Sequence, residues 1–98
     1  MLSEIEIEAY LEAIPGWERI GDSITRVYGL RPHGYVPLVV HIVDVEQRVG
    51  HHADIDLRRD HVRFTITTHA AGGKLTIADF DLARRIERVA ALHETKQW

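Results

Sequence analysis

Apolar residues repeat along this chain at two spacings, and the alternation between them predicts the elements. Ile7, Tyr10, Leu11 and Ile14 recur at helical spacing. Ser3 precedes them with Glu6 three residues on, which reads as a capping box, and Pro15-Gly16 stops the helix. From Trp17 to Gly29 the pattern becomes two short strands around Gly21-Asp22, a hairpin turn signal. Arg31-Pro32-His33-Gly34 reads as a loop. A second helix is predicted over Tyr35 to Val49, with Pro37 tolerated because it falls in the first turn, and Gly50 ends it. A second hairpin follows: Asp54 to Leu57, a turn near Arg59-Asp60, then Val62 to Thr68. In that last strand Val62, Phe64, Ile66 and Thr68 share one face. Arg63, Thr65, Thr67 and His69 share the other, which puts His69 in phase with the polar face. Ala71-Gly72-Gly73 reads as a flexible loop. Thr76 with Asp79 is a second capping signal, opening a helix through Phe80, Ala83, Ile86, Val89 and Ala90.

The order is therefore α-β-β-α-β-β-α. It predicts an α+β domain spanning residues 1–98, with a four-stranded antiparallel sheet, helices packed on one face and the other face polar. The middle helix is more apolar than one contact requires. Tyr35, Leu38, Ile42, Val45 and Val49 line one stripe, with Val36, Val39, Val40 and Val43 beside it. At about 100° per residue these positions cover an arc of about 220°. The surplus predicts a second covered side, a homodimer or homotetramer contact through this helix that a charge at Ile42 or Val43 would disturb. Glu46 falls inside the arc, where a carboxylate must sit at an edge, be paired, or be aimed at a site.

Composition narrows the chemistry. Ninety-eight residues with a formal charge of −3 offer no basic stripe for nucleic acid. With no cysteine there is no disulfide, thiolate metal site or cysteine nucleophile. No apolar run approaches a membrane span, and the N-terminus is acidic at Glu4, Glu6 and Glu8. The expectation is a soluble cytoplasmic protein.

Seven histidines remain. His33, His41 and His93 stand alone and read as solvated surface residues. His51 and His52 instead sit at a helix-to-strand junction, and His69 closes a strand beside a glycine-rich loop. If the hairpin is tight, the start of one strand lies opposite the end of the other, which brings His52 and His69 together. Imidazoles around one concave spot exchange protons near neutral pH. A three-histidine zinc site competes with this reading, but consecutive residues of an extended chain point apart, which disfavours joint ligation by His51 and His52. A serine nucleophile is weaker still: Ser3 and Ser23 lie off this hairpin. Three polar histidines without chemistry remain the bland alternative.

The combination of His51-His52, Thr68-His69, Gly72-Gly73-Lys74-Leu75-Thr76, Asp79 and Leu82-Ala83 resembles the pterin-4a-carbinolamine dehydratases. Leu2-Ser3 and Pro15-Gly16-Trp17 extend the likeness over nearly the whole chain. The resemblance implies removal of water from 4a-hydroxytetrahydropterin, the product of aromatic amino-acid hydroxylases, to give quinonoid dihydropterin, with neither metal nor organic cofactor. It implies His51, His52 and His69 as the catalytic set, His51 and His69 transferring protons and His52 chiefly holding substrate. Gly50, Thr67, Thr68 and Ala70 would line the pocket and Asp79 would support it. It also implies dimers or tetramers, and a hydroxylase or another protein as a possible partner.

The chain departs from that pattern at several points. Ala53 stands where proline is common, Arg59 replaces a turn aromatic, and Ile55 another aromatic. The family's glutamate aligns with Gln47, leaving Glu46 one residue off and not expected to inherit its role, and Lys74 is an extra residue in the glycine loop. Such drift fits a relative that kept the fold and became a binding protein, an assembly chaperone of the Rubisco type or a transcriptional dimerisation cofactor. Retention of all three histidines favours the enzyme.

Overall fold

The computed structural model describes residues 2–31 and 34–93 and the backbone of 96–97. Pro32 and His33 of the predicted loop lie outside the described residues. Helix α1 (Glu4–Glu12) starts where the sequence signals it, with Ser3 and Glu6 forming the reciprocal capping box. Gly16 follows at φ 92°, a left-handed conformation that favours glycine. A side chain there would also collide with Arg26, whose guanidinium occupies the space a Cβ would need. Strands β1 (Glu18–Ile20) and β2 (Ser23–Gly29) pair around the Gly21-Asp22 turn, with Ile20 opposite Ser23. Helix α2 runs from Tyr35 to Val49 and ends at Gly50 in the left-handed region, φ 70°. Strands β3 (Asp54–Leu57) and β4 (His61–Ile66) form the second hairpin, and α3 spans Ile77–Leu92.

The antiparallel sheet has the order β1-β2-β4-β3, so the two hairpins meet through their second strands, Ile24 opposite Ile66 and Tyr28 opposite Val62. The inner face presents Ile24, Arg26 and Tyr28 from β2 and Val62, Phe64 and Ile66 from β4, all buried. Phe80, Leu82, Ala83 and Ile86 of α3 and Leu38 and Ile42 of α2 close over it. Each such fully buried large side chain stabilises the fold by about 1.5–3 kcal/mol relative to exposure. The outer face keeps Asp54, Asp56 and Arg63 in solvent. Among the described residues no helix is long and apolar enough to cross a membrane.

Four differences from the sequence expectation have clear causes. A two-residue strand β5 (Lys96–Gln97) adds to the edge of β2 beyond β1, and no periodic pattern announces so short a segment. Strand β4 ends at Ile66, not Thr68. Thr67 turns its hydroxyl to the carbonyls of Asp22 and Gly73 (2.8 and 2.9 Å), and His69–Ala71 winds into a 3₁₀ turn. The glycine loop is a defined turn as well: Thr68 accepts from the N–H groups of Ala71 and Gly73, and Gly72 and Gly73 take positive φ. Finally, His41 and His93 are not isolated surface residues. His41 Nδ1 and His93 Nε2 meet at 3.0 Å between α2 and the end of α3, both half-buried.

Candidate active site

The exit from α2 and the turn after β4 face one another, and the site lies between them. Gly50 and His51 both donate their backbone N–H to Glu46 O, so the helix closes tightly and throws His51 and His52 towards the sheet. Across the gap, the 3₁₀ turn holds His69 and Ala70. Together Gly50, His51, His52, Thr68, His69 and Ala70 line an open pocket of about 220 Å³.

Asp79 lies beneath it, fully buried. Its Oδ2 accepts Thr76 N–H at 2.8 Å, the carboxylate half of the α3 capping box, and the Thr68 hydroxyl at 2.9 Å. Its Oδ1 stands 2.6 Å from His51 Nε2. Because an ionised carboxylate only accepts, this contact is a hydrogen bond when His51 carries a proton on Nε2, the tautomer that leaves the lone pair on Nδ1. His52 is held the other way. Its Nδ1 lies 3.4 Å from Oε1 of Glu46, itself buried, and its imidazole is largely exposed. The adjacent histidines therefore meet separate carboxylates, through different ring nitrogens.

The structure thus gathers six of the predicted residues at the pocket wall (Gly50, His51, His52, Thr68, His69 and Ala70) and Asp79 directly behind it. Thr67 is not a lining residue, because its hydroxyl is committed to the Asp22 and Gly73 carbonyls. Ile55 packs against the core and Lys74 pairs with Asp22, so both departures fall outside the wall. Gln47 is exposed, whereas Glu46 reaches His52 and Ala53 N–H. That role for Glu46 was visible in sequence only as a carboxylate inside an apolar arc. Among the described residues, no three His, Asp or Glu side chains converge as a metal site would require.

The chain is thus a small three-helix, antiparallel-sheet α+β domain with a carboxylate-backed histidine pocket. The model of the family described as pterin 4 alpha carbinolamine dehydratase matches residues 1–89, and the chain belongs to that family. A Streptomyces avermitilis protein provisionally named a pterin-4-alpha-carbinolamine dehydratase is 44% identical over 94% of this chain and 92% of its own. Two solved structures share the fold. The transcriptional coactivator/pterin dehydratase from Brucella melitensis superposes with a TM-score of 0.84 at 23% identity, covering 91% of this chain and 97% of that one. A pterin dehydratase-like protein described as a RuBisCO assembly factor of the alpha-carboxysome gives 0.60 at 12% identity, covering 76% and 86%.

Proposed function

We propose that this protein dehydrates a 4a-hydroxytetrahydropterin to the quinonoid dihydropterin by histidine acid–base catalysis. The observation that carries the reading is the meeting of His51, fixed by buried Asp79, with His52 and His69 at one pocket. The C4a–O bond breaks as the hydroxyl takes a proton and leaves as water. A ring N–H gives up its proton, and its electron pair forms the C=N bond. His51, with a bare Nδ1 and a carboxylate behind Nε2 to stabilise the imidazolium, suits the base. His69, exposed on the opposite wall, suits the acid. The protons return through solvent, to which the pocket is open. His52 holds the ring.

The test is to generate the carbinolamine with a hydroxylase and follow its dehydration optically. The protein should accelerate loss of the carbinolamine well above the spontaneous rate. If it does not, the binding-protein reading replaces this one. Self-association belongs to the same proposal. Val36, Val40 and Val43 stay 51%, 65% and 37% exposed on α2, an apolar strip that suits a second copy of this chain.

A further inference from the structure

Glu46 carries a carboxylate into the face of α2 that packs on the core, and only 3% of the residue is exposed. Burying a carboxylate is costly unless donors meet its oxygens. Two do: Ala53 N–H donates to Oε2 at 3.2 Å, and His52 Nδ1 lies 3.4 Å from Oε1. The first is at the upper end of the usual N–H···O range and the second beyond it, so an apolar side chain of similar size would serve the fold at least as well. Neither contact is needed to end the helix, since Gly50 and His51 already bond to the backbone carbonyl of Glu46. What the side chain does reach is the first residues beyond the helix, at the edge of the pocket.

We propose that Glu46 is a positioning residue for this pocket. Anchored on Ala53 N–H, its carboxylate holds His52 as the Nδ1–H tautomer, so that Nε2 accepts a hydrogen bond from an N–H of the substrate ring. The identity of that ring rests on the dehydratase reading; the tautomer does not. Apo contacts of this kind are often loose and tighten when substrate closes the site, which fits the 3.4 Å separation. Residue 53 belongs to the same device, because a proline there would have no N–H to anchor Oε2.

Nitrogen-15 spectra of the histidine rings, at a pH above the ordinary imidazole range of about 6.5, distinguish a protonated from a bare ring nitrogen. Wild-type His52 is expected as Nδ1–H. Glu46→Gln keeps the size and can still accept from Ala53, but it turns an amide N–H towards Nδ1 and should move the proton to Nε2. KM should then rise about tenfold, the loss of one hydrogen bond to substrate, while kcat stays within about twofold. The melting temperature should not fall. Ala53→Pro should raise KM in the same direction, and carries the test if Glu46→Gln does not fold. A Glu46→Gln protein in which His52 stays Nδ1–H, or in which the tautomer moves but KM does not, overturns the proposal. A protein that shows the tautomer switch without ever accelerating dehydration overturns the dehydratase reading and supports the positioning one.

Discussion

Tyr28 and Glu87 lie fifty-nine positions apart, yet the phenol hydroxyl donates to Glu87 Oε1 at 2.5 Å. The same oxygen accepts from Trp17 Nε1 at 2.8 Å and Arg26 Nε at 3.1 Å, and the Arg26 guanidinium stacks 4.5 Å from the Tyr28 ring. One carboxylate on α3 thus ties together β2 and the turn after α1.

Burial first, and then the hydrogen bond to Glu87 and its negative charge, push the Tyr28 hydroxyl well above the ordinary tyrosine value of 10.0. Folding therefore favours the neutral phenol. Its contribution is complete below the unfolded-state value and is lost as pH rises past about 10. Tyr28→Phe is expected to cost about 1 kcal/mol near neutral pH. Denaturant melts repeated at about pH 11 should show the wild type losing its advantage over Tyr28→Phe. A gap that stays constant across that range would contradict the assignment.

The three pocket histidines should separate kinetically. His51→Ala and His69→Ala should each lower kcat by about 10²-fold or somewhat more, as lost acid–base catalysis does. His52→Ala should chiefly raise KM. His93→Ala, at the opposite end of α3 from Asp79 and paired with His41, should leave turnover unchanged. Steady-state rates with enzymatically generated carbinolamine decide this, and a His69→Ala protein as fast as wild type would remove it from the mechanism.

Asp79→Asn tests the carboxylate behind His51. An amide N–H pointed at Nε2 would force the proton onto Nδ1 and take away the base, so kcat should fall by roughly 10²–10⁴-fold, as in other aspartate–histidine couples. KM should move little. Because the amide oxygen can still accept from Thr76 N–H, the melting temperature should fall only slightly. A large loss of stability with kcat preserved would assign Asp79 to helix capping alone.

Self-association through α2 is best probed at Val40, not Ile42. Ile42 is fully buried within the chain, so a glutamate there would disrupt folding and report nothing about assembly. Val40→Glu should leave the fold intact and shift sedimentation towards monomer. A wild-type protein that already sediments as monomer at tens of micromolar, roughly where a micromolar contact would hold, removes the proposed interface.

The elements were legible in the sequence because their signals are local. Ser3 with Glu6, Thr76 with Asp79 and the glycines at 21 and 50 mark boundaries by backbone chemistry alone. The alternation from Val62 to Ile66 identifies the buried face of β4 correctly. The pocket was legible in outline because the hairpin dictates which strand ends meet. What escaped depends on contacts between distant segments. Periodicity carries nothing about His41 meeting His93, about three donors converging on Glu87, or about Glu46 reaching past the helix end to His52. Ile42 and Val43 are neighbours in sequence, and only the packed helix shows that one is core and the other surface. The resemblance implied Thr67 at the pocket wall, whereas its hydroxyl is taken up by two carbonyls, Asp22 and Gly73, that the strand pattern does not represent.

Asp79 closes the first turn of α3 and fixes His51 with the same side chain. The capping of that helix and the fixing of His51 therefore depend on one carboxylate. Fraying of that first turn would release the imidazole without unfolding the sheet, so the site should switch off through local opening at a free energy below that of global unfolding. Amide exchange at Thr76 N–H would then track the fraction of molecules with an assembled site, and heat should silence catalysis some degrees before it melts the sheet.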